Sequence, residues 1–155
     1  MGKKTRRKNS PVTLKTILLV DDSHCCSRYH SYALKDSGYR VFTANTVEEA
    51  LHILKQEQID LVITDIVMPP GESLIDVVDS ANAGIYLIKQ ILTNYSKIHV
   101  FCLSGRSRMR FFEHIETKRF GEMAHANSVH FRFLEKGEFL FRPMLDEIRS
   151  ALASN

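Results

Sequence analysis

Apolar residues in this chain come in short bursts that end at polar residues. Thr16 to Val20 is a β-branched apolar run stopped by Asp21 and Asp22, the pattern of a buried strand reaching a polar edge. From Ser23 to Lys35, Cys26, Tyr29, His30, Ala33 and Leu34 recur at helical spacing, and Gly38 offers a C-terminal stop. Arg40 to Ala44 reads as a second strand; Thr46 and Glu49 form a capping box ahead of a helix through Ala50, Leu51 and Leu54. Ile59 to Thr64 is a third strand, and it too stops at an aspartate, Asp65.

The second half repeats the rhythm. Ile85, Leu87, Ile88, Ile91 and Leu92 mark a helix, and Ile98 to Leu103 a strand ending at Ser104 and Gly105. Phe111, Phe112, Ile115 and Phe120 predict a longer helix, Val129 to Leu134 a last strand with Lys136 just past it, and Pro143 the first turn of a terminal helix through Leu145, Ile148 and Leu152. Five strands alternating with helices through short loops predict an α/β fold, with parallel strands joined by right-handed crossovers. The stretch from Pro70 to Gly84, with Glu72, Asp76 and Asp79, is longer than the usual strand-to-helix connection and has no predicted structure.

Length and composition narrow the class. At 155 residues, 44% apolar and 25% charged, the chain fits one globular domain. The formal charge of +3 comes from Lys3, Lys4, Arg6, Arg7 and Lys8; the rest carries 16 basic against 18 acidic residues. Residues 1–14 are therefore expected to be a flexible basic arm and 15–155 the folded domain, with no nucleic-acid surface on that domain. No apolar run is long enough for a membrane span or an export signal, and Arg6 stands where a myristoylation signal needs Ser or Thr. Three cysteines, Cys25, Cys26 and Cys102, fit reduced thiols in a cytoplasmic protein, and none has metal-ligand spacing.

The chemistry lies where polar residues fall. Asp21, Asp22, Asp65, Ser104 and Lys136 each sit at the C-terminal end of a predicted strand, and in an open α/β sheet those ends share one crevice. Three carboxylates crowded there repel one another unless a cation joins them, and an all-oxygen set suits magnesium better than zinc. An aspartate in such a place can attack phosphorus and form an acyl phosphate, with a metal, the Lys136 ammonium and the Ser104 hydroxyl neutralising the phosphoryl oxygens.

Ile17-Leu-Leu-Val-Asp-Asp-Ser23, Asp60-Leu-Val-Ile-Thr-Asp-Ile-Val-Met-Pro69, Leu103-Ser-Gly105 and Phe133-Leu-Glu-Lys136 resemble the receiver domains of two-component response regulators, here as a stand-alone domain. The resemblance runs from Thr16 to the C-terminus. It implies a doubly wound, flavodoxin-like five-stranded parallel sheet of order 2-1-3-4-5 with helices on both faces. Asp65 would be the phosphoacceptor and Asp22 the main acidic magnesium ligand, with Asp21 its partner and the Val67 carbonyl completing the set. Ser104 and Lys136 would contact the phosphoryl group, and Phe133 would be an aromatic switch turning inward as Ser104 moves. Partners would be a sensor histidine kinase or phosphotransfer protein and a downstream protein target. The domain would catalyse only its own phosphorylation and dephosphorylation.

The chain departs from the family pattern in three places. Lys136-Gly137 replaces the family's Lys-Pro, Ala83-Gly84 stands where an Asp-Gly loop is expected, and Pro70 to Gly84 is read as a surface insertion. Arg106 and Val67 occupy positions that tune acyl-phosphate lifetime in relatives; apolar Val67 cannot orient a water, which implies slow self-dephosphorylation. Arg106, Arg108 and Arg110 form a short basic run read as a solvated face. Three rival readings have weaker support. A haloacid dehalogenase-type phosphohydrolase lacks its second acid, since Val67 follows Asp65 and Ser23 follows Asp21 at that spacing. A nucleic-acid binder would rest on the arm alone, and a pseudo-receiver would be an unphosphorylated interaction module.

Overall fold

The structure is a computed structural model that describes residues 13–105, 110–136 and 141–153. In chain order the elements are β1 (Thr16–Val20), α1 (His24–Asp36), β2 (Arg40–Ala44), α2 (Val47–Gln56), β3 (Leu61–Asp65), a 3-10 turn (Glu72–Leu74), α3 (Ala83–Asn94), β4 (His99–Ser104), α4 (Arg110–Ala126), β5 (Phe131–Glu135) and α5 (Phe141–Ala153). The strands form one parallel sheet of order β2-β1-β3-β4-β5. The expected fold is the observed one. Element ends move by one to two residues, so that Asp65 and Ser104 are the last residues of β3 and β4.

Alternation along the strands divides the core in two, because successive side chains point to opposite faces. Ile17, Leu19, Leu61, Ile63, Phe101 and Leu103 pack with Leu34 of α1 and Met144 and Ile148 of α5. Leu18, Val20, Val62, Val100 and Cys102 pack on the other face under α2, α3 and α4, with Leu87, Ile88 and Phe120. Strands buried on both faces are continuous apolar runs, which is why β1 and β3 are so legible in the sequence.

The ends of the helices follow local rules. Thr46 Oγ1 accepts from Glu49 N at 3.1 Å, and the Glu49 carboxylate reaches back one residue further than a capping box requires, to Asn45 N at 2.8 Å. Helix α1 closes through Gly38, at φ +94°, with Gly38 N donating to Lys35 O and Tyr39 N to Leu34 O. Its buried stripe differs from the expected one: Ser27, Ser31 and Leu34 face the sheet, while Cys26 is exposed and Tyr29 is 63% exposed. Small serines let α1 approach the strands closely, a preference that apolar periodicity cannot register.

Two features tie the strand ends in place. At the N-terminal rim, Asp60 Oδ2 accepts from Thr16 N at 2.7 Å, Asp60 O accepts from His99 N, and His99 Nδ1 accepts from His130 N at 2.9 Å, a bonded row that crosses from β1 toward β5. At the opposite rim, Gly84 N donates to Ile66 O at 2.8 Å, and a Cβ on Gly84 would stand 1.9 Å from Asp65 O. Only glycine lets the start of α3 lie against the end of β3.

The segment between them is an ordered strap. Met68 is buried and its N–H donates to Ser80 O, while Val47 N and Glu48 N at the head of α2 donate to Pro69 O and Pro70 O. Gly71, at φ +105°, turns the chain so that Ser73 Oγ can donate to the Glu48 carboxylate at 2.6 Å. Those bonds hold the Glu48 pKa below its ordinary value. The insertion therefore lies on the surface, as expected, and is hydrogen-bonded to α2.

Two predictions follow from this packing. Gly84→Ala must displace either α3 or the Asp65 backbone, and should cost about 2–3 kcal/mol or more in urea denaturation; an unchanged midpoint would show that α3 can slide. The second concerns pH. Burial lowers the pKa of His99, helped by His130 and Lys15 and opposed by Asp60; burial also lowers that of His30. A histidine that resists protonation when folded takes up its proton more readily when unfolded, so its stabilising contribution is present above the ordinary value of 6.5 and is lost as pH falls below it. The urea midpoint should drop between about pH 7 and about pH 5.5, and His99→Asn, which keeps an acceptor for His130 N, should flatten that drop.

Candidate functional site

The parallel register delivers the site. Val20 pairs with Thr64, which sets Asp21 beside Asp65 one step further on, at the point where strand order reverses around β1 and β3. Asp21 N donates to Ala44 O, extending the β1–β2 ladder, and this buries Asp21 to 2% exposure while Asp22 turns out to solvent. One carboxylate oxygen from each of Asp21, Asp22 and Asp65 lies within 4.8 Å of the others.

The cluster is partly bonded. Asp21 Oδ1 accepts from Ser23 N at 2.8 Å, and Asp65 Oδ1 from Ile66 N at 2.7 Å. Lys136, just past β5, donates from Nζ to Asp65 Oδ2 and stands 3.8 Å from Asp21 Oδ2. Burial works against the Lys136 charge, but its hydrogen bond to Asp65 and the fields of Asp65 and Asp21 outweigh it and raise its pKa above the ordinary value. Asp21 Oδ2 is shut off from solvent and has no hydrogen-bond donor.

That orphaned oxygen decides what the cluster can hold. A buried carboxylate oxygen without a partner is costly, and one ammonium balances only part of three carboxylates. A divalent cation among them would satisfy Asp21 Oδ2 and supply the missing positive charge, and an all-oxygen set favours a hard ion such as magnesium. Asp21, Asp22 and Asp65 could hold it. Val67, two residues beyond Asp65, is 57% exposed at the start of the strap.

The remaining sequence-derived residues divide in two. Ser104 ends β4, paired in register with Glu135, and its side chain lies outside the described residues, as do residues 1–12, Arg106, Arg108 and Gly137. Phe133 is half-buried and borders a cavity of about 120 Å³ beneath α4. Sequence reasoning missed Gly84 as a determinant of where Asp65 sits, and the Thr64 hydroxyl, which donates to Asp65 O at 2.9 Å. The glycine beside a predicted helix start was the available signal for the first; the second left none.

Among the described residues, no helix is long and apolar enough to cross a membrane. Cys25 and Cys26 are exposed free thiols, and Cys102 is buried.

Comparison with known proteins agrees with the geometry. The family model for the response regulator receiver domain matches residues 17–118. The chain is 35% identical over 94 residues to the response regulator GtcR of Aneurinibacillus migulanus, covering 61% of this chain and 34% of that protein. It spans about a third of the length of the first curated relatives that it matches. Among solved structures, a response regulator receiver domain protein from Clostridium thermocellum superposes with a TM-score of 0.69 at 23% identity, over 91% of this chain and 96% of that one. The response regulator TrrA of Thermotoga maritima, solved in complex with Mg(2+)-BeF, gives 0.64 at 22% identity, over 89% and 99%. With its fold, its acidic crevice and a family match across most of its length, the chain belongs to the response regulator receiver domains of two-component signalling.

Proposed function

We propose that the protein is a phosphorylation-dependent switch: Asp65 accepts a phosphoryl group from a histidine kinase or phosphotransfer protein, with Mg2+ in the acidic crevice, and the output is a protein contact. The observation that carries this reading is the pairing of Lys136 with Asp65 Oδ2 beside the orphaned, buried Asp21 Oδ2. It is an acidic site only partly neutralised by Lys136, suited to an added cation and an added phosphate.

In this mechanism a carboxylate oxygen of Asp65 attacks phosphorus, the bond to the donor breaks, and the donor leaves with the electron pair. Ile66 N holds the other carboxylate oxygen through the bond already present at Oδ1, which fixes the angle of the nucleophile. Lys136 transfers its hydrogen bond from Asp65 to a phosphoryl oxygen, and its raised pKa keeps it charged throughout the neutral range. Asp21, Asp22 and Asp65 would hold the Mg2+, which neutralises phosphoryl charge when bound. Ser104 at the end of β4 would take a further phosphoryl oxygen. Phe133 has room to turn toward the cavity it borders, shifting the population of the β4–α4–β5 face. The domain acts as catalyst only toward its own phosphorylation and dephosphorylation.

The test is intact-mass analysis after acetyl phosphate or beryllofluoride treatment with magnesium. The parent chain should gain the adduct and Asp65→Asn should not. Absence of an adduct in both would leave an unphosphorylated interaction module as the function.

Exposed, apolar Val67 gives an attacking water no hydrogen-bond partner beside Asp65. The acyl phosphate should therefore persist, and Val67→Asn should shorten its half-life several-fold in a phosphate-release assay. A half-life of only a few seconds in the parent would contradict this.

A further inference from the structure

The strap between β3 and α3 exposes apolar side chains among acids. Ile75 and Val77 are 69% and 62% exposed, and with Val67 at its start they make three of the six well-exposed large apolar side chains among the described residues. Their backbone is held. Val77 N and Val78 N both donate to Leu74 O, Leu74 packs against the core, and Ser73 is bonded to Glu48 of α2. Leu74 and Val78 are half-buried by that turn, whereas Ile75, Asp76 and Val77 face solvent. Ile75 and Val77 thus add little burial energy to the fold, and exposed apolar groups rimmed by polar ones mark a contact site.

The rim selects the partner. From Gln56 to Ile88 the sequence has no Lys, Arg or His and six carboxylates, of which Glu72, Asp76 and Asp79 lie on the strap. All three are exposed, and among the described residues none forms an ion pair with a basic side chain. They do not converge on one point: among the described residues, the group of acids close enough to share an ion is Asp21, Asp22 and Asp65. Spaced single charges call for spaced cations rather than for one metal ion. Nucleic acids and anionic membranes have the wrong sign, and the strap of a second copy would meet this one with like charge.

We propose that the strap is a docking surface for a protein segment with an apolar stripe flanked by spaced lysines or arginines. The stripe covers Ile75 and Val77, and the cations pair with Glu72 and Asp76. Because its bonds to α2 hold the turn before contact, little ordering entropy opposes association. Docking needs no phosphate on Asp65.

The probe is a synthetic amphipathic helix of leucine and lysine, titrated into the isotope-labelled full chain. A leucine-glutamate helix of the same pattern and a serine-lysine peptide are the comparators. The leucine-lysine helix should shift the Ile75 and Val77 methyl NMR signals saturably, and both comparators should bind about tenfold more weakly or worse. Glu72→Lys with Asp76→Lys should weaken the leucine-lysine helix about tenfold and strengthen the leucine-glutamate one. Ile75→Ser with Val77→Ser should erase the preference for leucine over serine. All four positions are exposed, so both variants keep the fold. Asp65→Asn should bind like the parent, so failure of the phosphorylation reading would leave this one intact. Shifts confined to the Asp21 and Asp22 amides, equal binding of the serine-lysine peptide, or undiminished binding in the double lysine variant would each overturn the proposal. So would strap signals that move with chain concentration alone, which would make a second copy the occupant, or that move when Lys3, Lys4, Arg6, Arg7 and Lys8 are replaced by Gln, which would make it the chain's own basic segment.

Discussion

Like-charge repulsion among three carboxylates governs the upper rim of this molecule. Asp21, Asp22 and Asp65 are brought together by strand register, not by their own attraction, so the folded sheet holds them against their mutual field. Lys136 relieves part of that load, and its position past β5 means that the relief arrives only when the last strand has joined the sheet. Removing one partner from such a group costs more than the pair is worth, because the charge left behind stays buried.

The opposite rim is built differently. There Asp60, His99 and His130 bond the strand starts to one another, mostly through main-chain groups. Stability at that end rests on satisfied hydrogen bonds. The C-terminal end keeps an acceptor, Asp21 Oδ2, that has no hydrogen-bond donor, and an exposed strap beside it. The two ends of one sheet thus divide structural and chemical duties, as doubly wound folds generally do.

Most of this architecture could be read from the residues. The apolar bursts of the central strands β1 and β3 ended at polar residues because parallel strands buried on both faces leave no other place for them, and that located Asp21 and Asp65. What escaped was contact that depends on small or neutral groups. The serine stripe of α1 has no apolar period, and Thr64 looks like any strand threonine until its hydroxyl is seen on the Asp65 carbonyl. The strap was legible as an insertion by length but not in its bonding, since Glu48 and Ser73 meet across 25 positions of sequence. The burial of Asp21 against the exposure of Asp22 likewise needed three dimensions, because neighbours in sequence at a strand end part company where the ladder stops.

The Gly84 contact also has an evolutionary corollary. The Met68 and Gly84 anchors are tied to the body of the fold, one by burial, the other by backbone apposition to Asp65. Residues between those anchors are free to multiply or shrink, since lengthening a surface excursion adds little entropy of closure. Relatives of this chain could therefore differ widely in the size of that excursion and still share an unaltered acidic crevice, with divergence confined to what the excursion presents to the outside.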